Sequence, residues 1–170
     1  MKWLIASDIH GSAFWCRRLL EAFEREKADR LILLGDLLYH GPRNTPPTEY
    51  DPMAVAAMLN KYSGRILAVR GNCDAEIDQM VLDFPIMADY TILDTGDRLV
   101  FITHGHIWNN GHLPPLAKGS VLLHGHTHVV HNEDRGDHFY VNPGSVSIPK
   151  KDSPRGYAIL ENGVFTTKEL

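Results

Sequence analysis

The stretch Lys2-Trp3-Leu4-Ile5-Ala6-Ser7-Asp8-Ile9-His10-Gly11 decides how the rest of the chain is read. Lys2 to Ser7 is short and apolar, the pattern of a buried strand, and it breaks at a polar Asp-Ile-His-Gly turn. Beyond the turn, Cys16, Leu19, Leu20 and Phe23 fall on one helical face, with Arg17, Arg18 and Glu21 around it. The unit is strand, turn, helix. In open α/β sheets, ligands bind in the crevice at the carboxyl ends of the strands, so Asp8 and His10 stand where a ligand is expected.

Downstream, strands and helices continue to alternate. Leu31 to Leu34 is a second buried strand ending in Gly35-Asp36, and a proline-rich loop follows from Gly41 to Pro52. Asp51-Pro52 predicts a helix start, because Asp caps free amides and Pro tolerates the first turn; the helix runs to about Tyr62, where Ser63-Gly64 stops it. Arg65 to Val69 reads as a third strand ending in Gly71-Asn72. The order β-α-β-α-β favours a parallel sheet with covering helices. The second half is richer in strands. Tyr90 to Leu93 and Arg98 to Thr103 flank a Thr95-Gly96 turn, Arg135-Gly136-Asp137 separates two further runs, and Asn162-Gly163 marks a late hairpin. A mixed α/β architecture follows, its later strands pairing largely antiparallel. With no repeat, linker or low-complexity tract, residues 1–170 read as a single domain.

Each strongly predicted strand delivers a metal-competent side chain just past its carboxyl end. Asp8 and His10 follow the first, Asp36 the second and Asn72 the third; His104 follows Leu99 to Thr103, and His126 and His128 follow Val121 to Leu123. Gly11, Gly35, Gly71, Gly105 and Gly125 accompany them, as tight turns require. Seven such groups converging need a cation, because buried carboxylates require a paired charge or a metal. Oxygen and imidazole donors without thiolate suit Mn, Fe, Zn or Co and argue against a closed structural zinc site. Seven ligands exceed what one tetrahedral ion uses, whereas two ions about 3.5–4 Å apart sharing one carboxylate use them all. Asp36, on a middle element, is the expected bridge. Such a pair leaves a cationic pocket suited to a phosphate oxyanion and lowers the pKa of a shared water to about 7, so a metal-bridged hydroxide is the expected nucleophile.

Bulk properties narrow the alternatives. The 170 residues are 44% hydrophobic and 22% charged, ordinary for a globular protein, and a net charge of −4 without a basic stripe disfavours extended nucleic acid as a partner. Cys16 and Cys73 fit no paired spacing, which points to a reducing compartment, and the expected location is the cytoplasm. The apolar start is too short for a signal-peptide core, and no run reaches the roughly 18 residues of a bilayer span, so no membrane association is expected.

Asp8-Ile9-His10, Gly35-Asp36, Gly71-Asn72, Thr103-His104-Gly105-His106 and Gly125-His126-Thr127-His128 resemble, in order and spacing, the five signatures of the calcineurin-like metallophosphoesterases. Ser7-Asp8-Ile9-His10-Gly11, His40-Gly41-Pro42-Arg43-Asn44, Gly71-Asn72-Cys73-Asp74 and Asn142-Pro143-Gly144-Ser145-Val146 are similar to the small bacterial YfcE-like phosphodiesterase branch. The resemblance implies a four-layer αββα sandwich of two facing mixed sheets flanked by helices. It also implies one ion on Asp8, His10, Asp36 and His128 and a second on Asp36, Asn72, His104 and His126, with manganese the expected metal (Zn, Fe, Co or Ni being the alternatives) and a homodimer or homotetramer the expected assembly. The activity implied is hydrolysis of small organic phosphodiesters. A phosphomonoesterase, a nucleotide phosphatase or a protein phosphatase is the nearest alternative, and a non-catalytic scaffold like the retromer subunit of this fold is the rival from another class.

One departure matters. Many members of the superfamily carry a histidine after the metal-binding asparagine to protonate the leaving group; here that position is Cys73, and a thiol with pKa near about 8.5 is a poor substitute. Aryl leaving groups are therefore expected to depart more readily than alkoxides. His106 reads equally as a substrate contact or as an acid, and Cys73 more as a small packed residue touching the substrate than as a catalytic one. Arg43, and with it Asn44, is expected to reach the substrate from the loop after Asp36, although solvated charge is the default there. Asp74 reads as the cap of the short helix that follows, with a contact to a metal-binding histidine the competing view. Arg70 reads as an ion-pair residue. His40, His112, His124, His131 and His138 read as loop or surface, and Trp3, Trp15 and Trp108 as packing, Trp108 with a claim on the substrate pocket.

Overall fold

The computed structural model describes residues 1–170 and contains two five-stranded sheets. Strand β1 (Lys2–Ala6) leads through the Asp8 turn into helix α1 (Ala13–Arg25), then β2 (Arg30–Leu33), helix α2 (Pro52–Asn60), a 3-10 turn at Ser63–Arg65 and β3 (Ile66–Ala68). Apart from the 3-10 turn, where only a helix stop is predicted, these are the predicted elements. Ser12 starts α1 by accepting from the Trp15 amide, and the Asp51 carboxylate caps α2 from the Ala54 amide at 2.9 Å, ahead of Pro52.

β1, β2 and β3 pair in parallel, and β9 (Gly156–Glu161) and β10 (Val164–Glu169) extend this sheet antiparallel from β1, in the order β10-β9-β1-β2-β3. Alternation along the strands assigns the two faces. Leu4, Ala6, Leu31 and Leu33 pack on one side against α1 and α2, where Cys16, Leu19, Phe23, Val55 and Leu59 complete a core. Ile5 and Ile32 point the other way, into a second core shared with Val100, Ile102, Val121, Leu123 and Val141 of the facing sheet.

That sheet has the order β4-β5-β6-β8-β7, with β4 (Tyr90–Asp94), β5 (Leu99–Thr103), β6 (Val121–Leu123), β7 (Val130–Asp134) and β8 (Phe139–Pro143). The β4–β5, β7–β8 and β9–β10 hairpins are antiparallel, as the turn residues predict. The centre differs from expectation, since β5 pairs β6 and β6 pairs β8 in parallel. A parallel pair needs a crossover. Residues 104–120, which make it, contain no helix. With the inner face filled by the other sheet, this crossover runs on the outside, so the layer beyond the second sheet is irregular where the layer beyond the first is helical. The remaining helix, α3 (Glu76–Gln79), follows the Asn72 turn, and no helix is long and apolar enough to cross a membrane.

Candidate metal centre

The turns after β1, β2, β3, β5 and β6 meet at one edge of the sandwich. Asp8, His10, Asp36, His126 and His128 adopt φ of 59°, 49°, 54°, 63° and 60°. This left-handed region costs a non-glycine residue about 1–2 kcal/mol and persists where surrounding contacts enforce it. Strain of this kind is concentrated at functional sites, and here it turns the side chains back over the strand ends. Gly71 and Gly125 serve for space. A Cβ on Gly71 would lie 2.1 Å from Asp36 Oδ1, and one on Gly125 would lie 1.8 Å from Ser7 Oγ.

Each aspartate divides its carboxylate. Asp8 Oδ2 accepts from Ser7 Oγ (2.6 Å) and the His126 amide (3.0 Å), while its buried Oδ1 has no hydrogen-bond partner. Asp36 Oδ1 accepts from the Cys73 amide (2.8 Å), while Oδ2 faces His10 Nε2 at 3.7 Å and His104 Nε2 at 3.5 Å. The imidazoles are anchored from behind. His10 and His104 each direct Nδ1 to a backbone carbonyl at 2.7 Å, of Tyr39 and Leu34, and His128 Nδ1 meets the Ile148 carbonyl. With Nδ1 donating, a neutral ring presents a lone pair at Nε2.

Those lone pairs face one another. His10 Nε2 lies 3.3 Å from His128 Nε2, which is 3.1 Å from Asp8 Oδ1. His104 Nε2 lies 3.1 Å from Asn72 Oδ1 and 3.2 Å from His126 Nδ1. Acceptors gathered without donors repel unless protons or cations stand between them, so this donor set fits metal ions. The contacts fall into two groups, Asp8/His10/His128 and Asn72/His104/His126, with Asp36 Oδ2 next to both.

Without an ion, protons take the role. Burial disfavours a charged His104, but its contact with Asp36 and the nearby carboxylates win, and the ring is held up to about 9; His10 is raised in the same way by Asp8. Burial would raise Asp8 and Asp36, yet the histidines hold both below the ordinary carboxylate value. His126 goes the other way, pulled to about 4 by burial and the His104 charge.

A pocket of ≈ 270 Å³ opens over this cluster, with Arg43 and Lys150 on its wall. Lys150 has no sequence signal beyond its charge. Asn44 also lines the pocket, but its Nδ2 donates to the His40 carbonyl (2.8 Å) while His40 Nδ1 meets the Asn44 carbonyl (3.1 Å), so its amide closes the loop that carries Arg43. His106 stands off the second group, its ring 5.4 Å from that of His104 and 6.4 Å from that of His126, lowered by burial and the His104 charge. Burial, with the Asp36 charge, pushes the Cys73 thiol up to about 12.

Several readings change. Asp74 does not cap α3, whose N-cap is Ala75. Its buried carboxylate accepts from the amides of Asp36 (2.8 Å), Leu37 (2.9 Å) and Gly71 (2.7 Å), clamping the β2 turn to the β3 turn. His124 is buried, 1% exposed, with its ring 5.0 Å from that of Tyr140, because its place between β6 and Gly125 lies inside the sandwich edge. His138 is buried too, meeting Asn110 at 3.2 Å. Trp108 packs on His112 rather than lining the metal pocket. Arg70 pairs with Asp89 through Nε at 2.9 Å and Nη2 at 2.5 Å, as expected. Support for Asp8 also comes from afar. Ser145 and Ser147 donate to its carbonyl, and Asn142 Nδ2 donates to the Gly125 carbonyl at 2.8 Å.

Comparison with known proteins agrees with this architecture. A family model described as the calcineurin-like phosphoesterase superfamily domain matches residues 1–163. The chain is 48% identical over 170 residues to phosphodiesterase YfcE of Escherichia coli strain K12, covering 100% of this chain and 92% of the relative. It is 28% identical over 177 residues to the probable metallophosphoesterase YsnB of Bacillus subtilis strain 168, covering 99% and 89%. Among solved structures, the phosphoesterase Yfce from E. coli superposes with a TM-score of 0.95 at 47% identity, over 97% of this chain and 91% of that one. Vacuolar Protein Sorting 29 from Cryptosporidium parvum, at 15% identity and a TM-score of 0.61 over 98% and 95%, shares the fold.

Proposed function

The chain belongs to the calcineurin-like phosphoesterase superfamily and is a metal-dependent hydrolase of phosphate esters, and from that premise we propose that it is a phosphodiesterase acting on small organic phosphodiesters at a pair of divalent ions, manganese by preference. The observation that carries the reading is the facing of acceptor on acceptor, with His10 Nε2 3.3 Å from His128 Nε2 and His104 Nε2 3.1 Å from Asn72 Oδ1. Asp8, His10, Asp36 and His128 hold one ion; Asp36, Asn72, His104 and His126 hold the other. When bound, such a pair neutralises phosphoryl charge and makes a water acidic enough to act near neutral pH.

The chain's own residues supply the rest. Arg43 and Lys150 draw the phosphate anion into the pocket and orient it, Asn44 shapes the loop that carries Arg43, and the volume of ≈ 270 Å³ favours a small substrate. Cys73 keeps its proton at any working pH, which makes it a weak acid toward a departing oxygen. His106 contacts the substrate or its leaving group from the side of the second ion. Good leaving groups therefore depart fastest. Within one domain, the same turns bind the metal and the substrate.

The test is hydrolysis of bis(p-nitrophenyl) phosphate by protein stripped with chelator and then resupplied with each metal. Activity should vanish and return most fully with Mn²⁺, and a dialkyl phosphodiester of similar size should be cleaved far more slowly. Protein that binds metal yet cleaves no phosphate ester would end the proposal, and equal rates on aryl and alkyl esters would end the part given to Cys73.

A further inference from the structure

Beside the metal pocket lies a second cleft, ≈ 350 Å³, whose walls include Leu38, Tyr39, Tyr50, Pro52 and Ile77. Cys73 lines both spaces, so the cleft adjoins the pocket over the candidate metal ligands at this side chain. Tyr39, Tyr50 and Ile77 are 41%, 36% and 66% exposed. Large apolar side chains left open next to a polar pocket mark a ligand surface more often than a defect of packing.

The wall is built, and it is tied to the metal centre. The His40 ring packs between the two tyrosines, 4.8 Å from Tyr39 and 5.0 Å edge-on from Tyr50. Tyr50 also lies over the backbone of the β1 turn, so closely that a Cβ on Gly11 would come within 2.5 Å of its ring. The Tyr39 carbonyl is the one that orients His10. Asp78, the one charged group on the wall, turns its Oδ2 to the Ala75 amide at 2.9 Å. The cleft therefore offers aromatic and aliphatic surface and little to recognise a charge.

We propose that this cleft is a specificity subsite that seats an uncharged, planar aromatic ester arm of the substrate while the phosphate occupies the metal pocket. The proposal rests on the phosphodiesterase reading and deepens it. A flat ring suits it because two braced tyrosines and Ile77 bound an open slot, while Arg43 and Lys150 confine anion recognition to the neighbouring space. The subsite favours substrates with one apolar arm over those with sugar or polyanionic arms.

Phosphonates test this without turnover, because the P–C bond is not cleaved. Calorimetric titration of the Mn-loaded protein with methylphosphonate reads the metal pocket alone, and benzylphosphonate adds the ring at the reach of an aryl ester. Benzylphosphonate should bind about tenfold more tightly. Ile77→Asn, at an exposed position, should bring the ratio close to one, and Ile77→Trp should increase it; unchanged melting temperatures establish that both variants fold. Equal binding of the two phosphonates by the unaltered protein, or a ratio that neither variant moves, would overturn the subsite. If diester hydrolysis persists in that case, the subsite alone is lost; if no ester is cleaved at all, the underlying function falls with it.

Discussion

In one half of the candidate metal centre, Asp8, His10 and His128 are all at most 3% exposed, and the carbonyls of Tyr39 and Ile148 fix both rings. In the other half only His104 is comparably held. His126 is half-buried, and Asn72 is exposed, with its amide nitrogen on nothing firmer than the Cys73 sulfur at 3.2 Å. The first half also owns a carboxylate in Asp8, whereas the second has a neutral amide in its place. A charged and preorganised half binds its ion without first ordering its ligands, and a half that must order Asn72 in solvent binds less tightly. If the proposed pair binds, the first ion is held the more tightly and the second exchanges the more readily.

The hardest blow to that asymmetry is Asp36→Ala, which removes the oxygen lying 3.7 Å from His10 Nε2 and 3.5 Å from His104 Nε2. Metal content measured by elemental analysis should fall toward zero, with the diesterase rate down by about three orders of magnitude or more. Asn72→Ala, by contrast, should keep about one ion per chain. Equal loss of metal in the two variants would mean that the halves are equivalent.

Asp74→Asn comes next, because it acts on the halves through the backbone. The carboxylate accepts three amides from two turns, and an amide side chain turns one of its acceptors into a donor facing a donor. The expected cost is about 3 kcal/mol in denaturant melts of the metal-free protein. Affinity for both ions should weaken as well. Stability lost with metal affinity intact would reduce Asp74 to a packing residue.

Acidity is a smaller effect and acts on both halves, through His10 in the first and His104 in the second. In the metal-free protein His104 is held up to about 9. Its folded value lies above the ordinary 6.5, so the protonated ring contributes stability in full below pH 6.5 and loses it as pH rises through about 9. Metal must displace that proton. Affinity at the second half should consequently rise by about tenfold per pH unit below pH 9, whereas His126, pulled to about 4, is already neutral. Calorimetry of Mn²⁺ binding in buffers of different ionisation enthalpy counts the protons released. A count of zero near neutral pH would place the His104 proton elsewhere.

Much of this site was legible in the chain because its candidate ligands obey a local rule, a polar donor directly after a short apolar run. The parallel β1-β2-β3 core was legible for the same reason, since its helices leave a periodic trace between the strands. What stayed hidden depends on distant partners. Asp74 beside a short helix looks like a cap, and its clamp exists only because residues 36, 37 and 71 meet in space. His124 looks like the start of a surface turn, until β8 supplies Tyr140 to cover it. The parallel pairing of β5 with β6 left no sign because its crossover has no helix to announce it. The left-handed ligands are hidden most deeply, because aspartate and histidine carry no mark of the φ they will be forced to adopt.

The smallest effect belongs to the rim, where the two halves share one set of cations. Arg43 and Lys150 are both exposed, and neither side chain hydrogen-bonds a candidate ligand, so truncating them should leave metal content unchanged. Arg43→Ala should raise KM for an aryl phosphodiester about fivefold to tenfold with little change in kcat, and Lys150→Ala by less, because a guanidinium grips a phosphate with two parallel donors and an ammonium acts as a point charge. If both act only through the field, the double variant should show the product of the two effects, and added salt should shrink each of them. A double variant much worse than that product would mean that the two residues grip the same phosphate oxygens, so that either one alone still orients the substrate. A fall in bound metal in Lys150→Ala, which keeps the backbone amide, would mean that the side chain also steadies the segment whose amide donates to the His128 carbonyl at 3.1 Å.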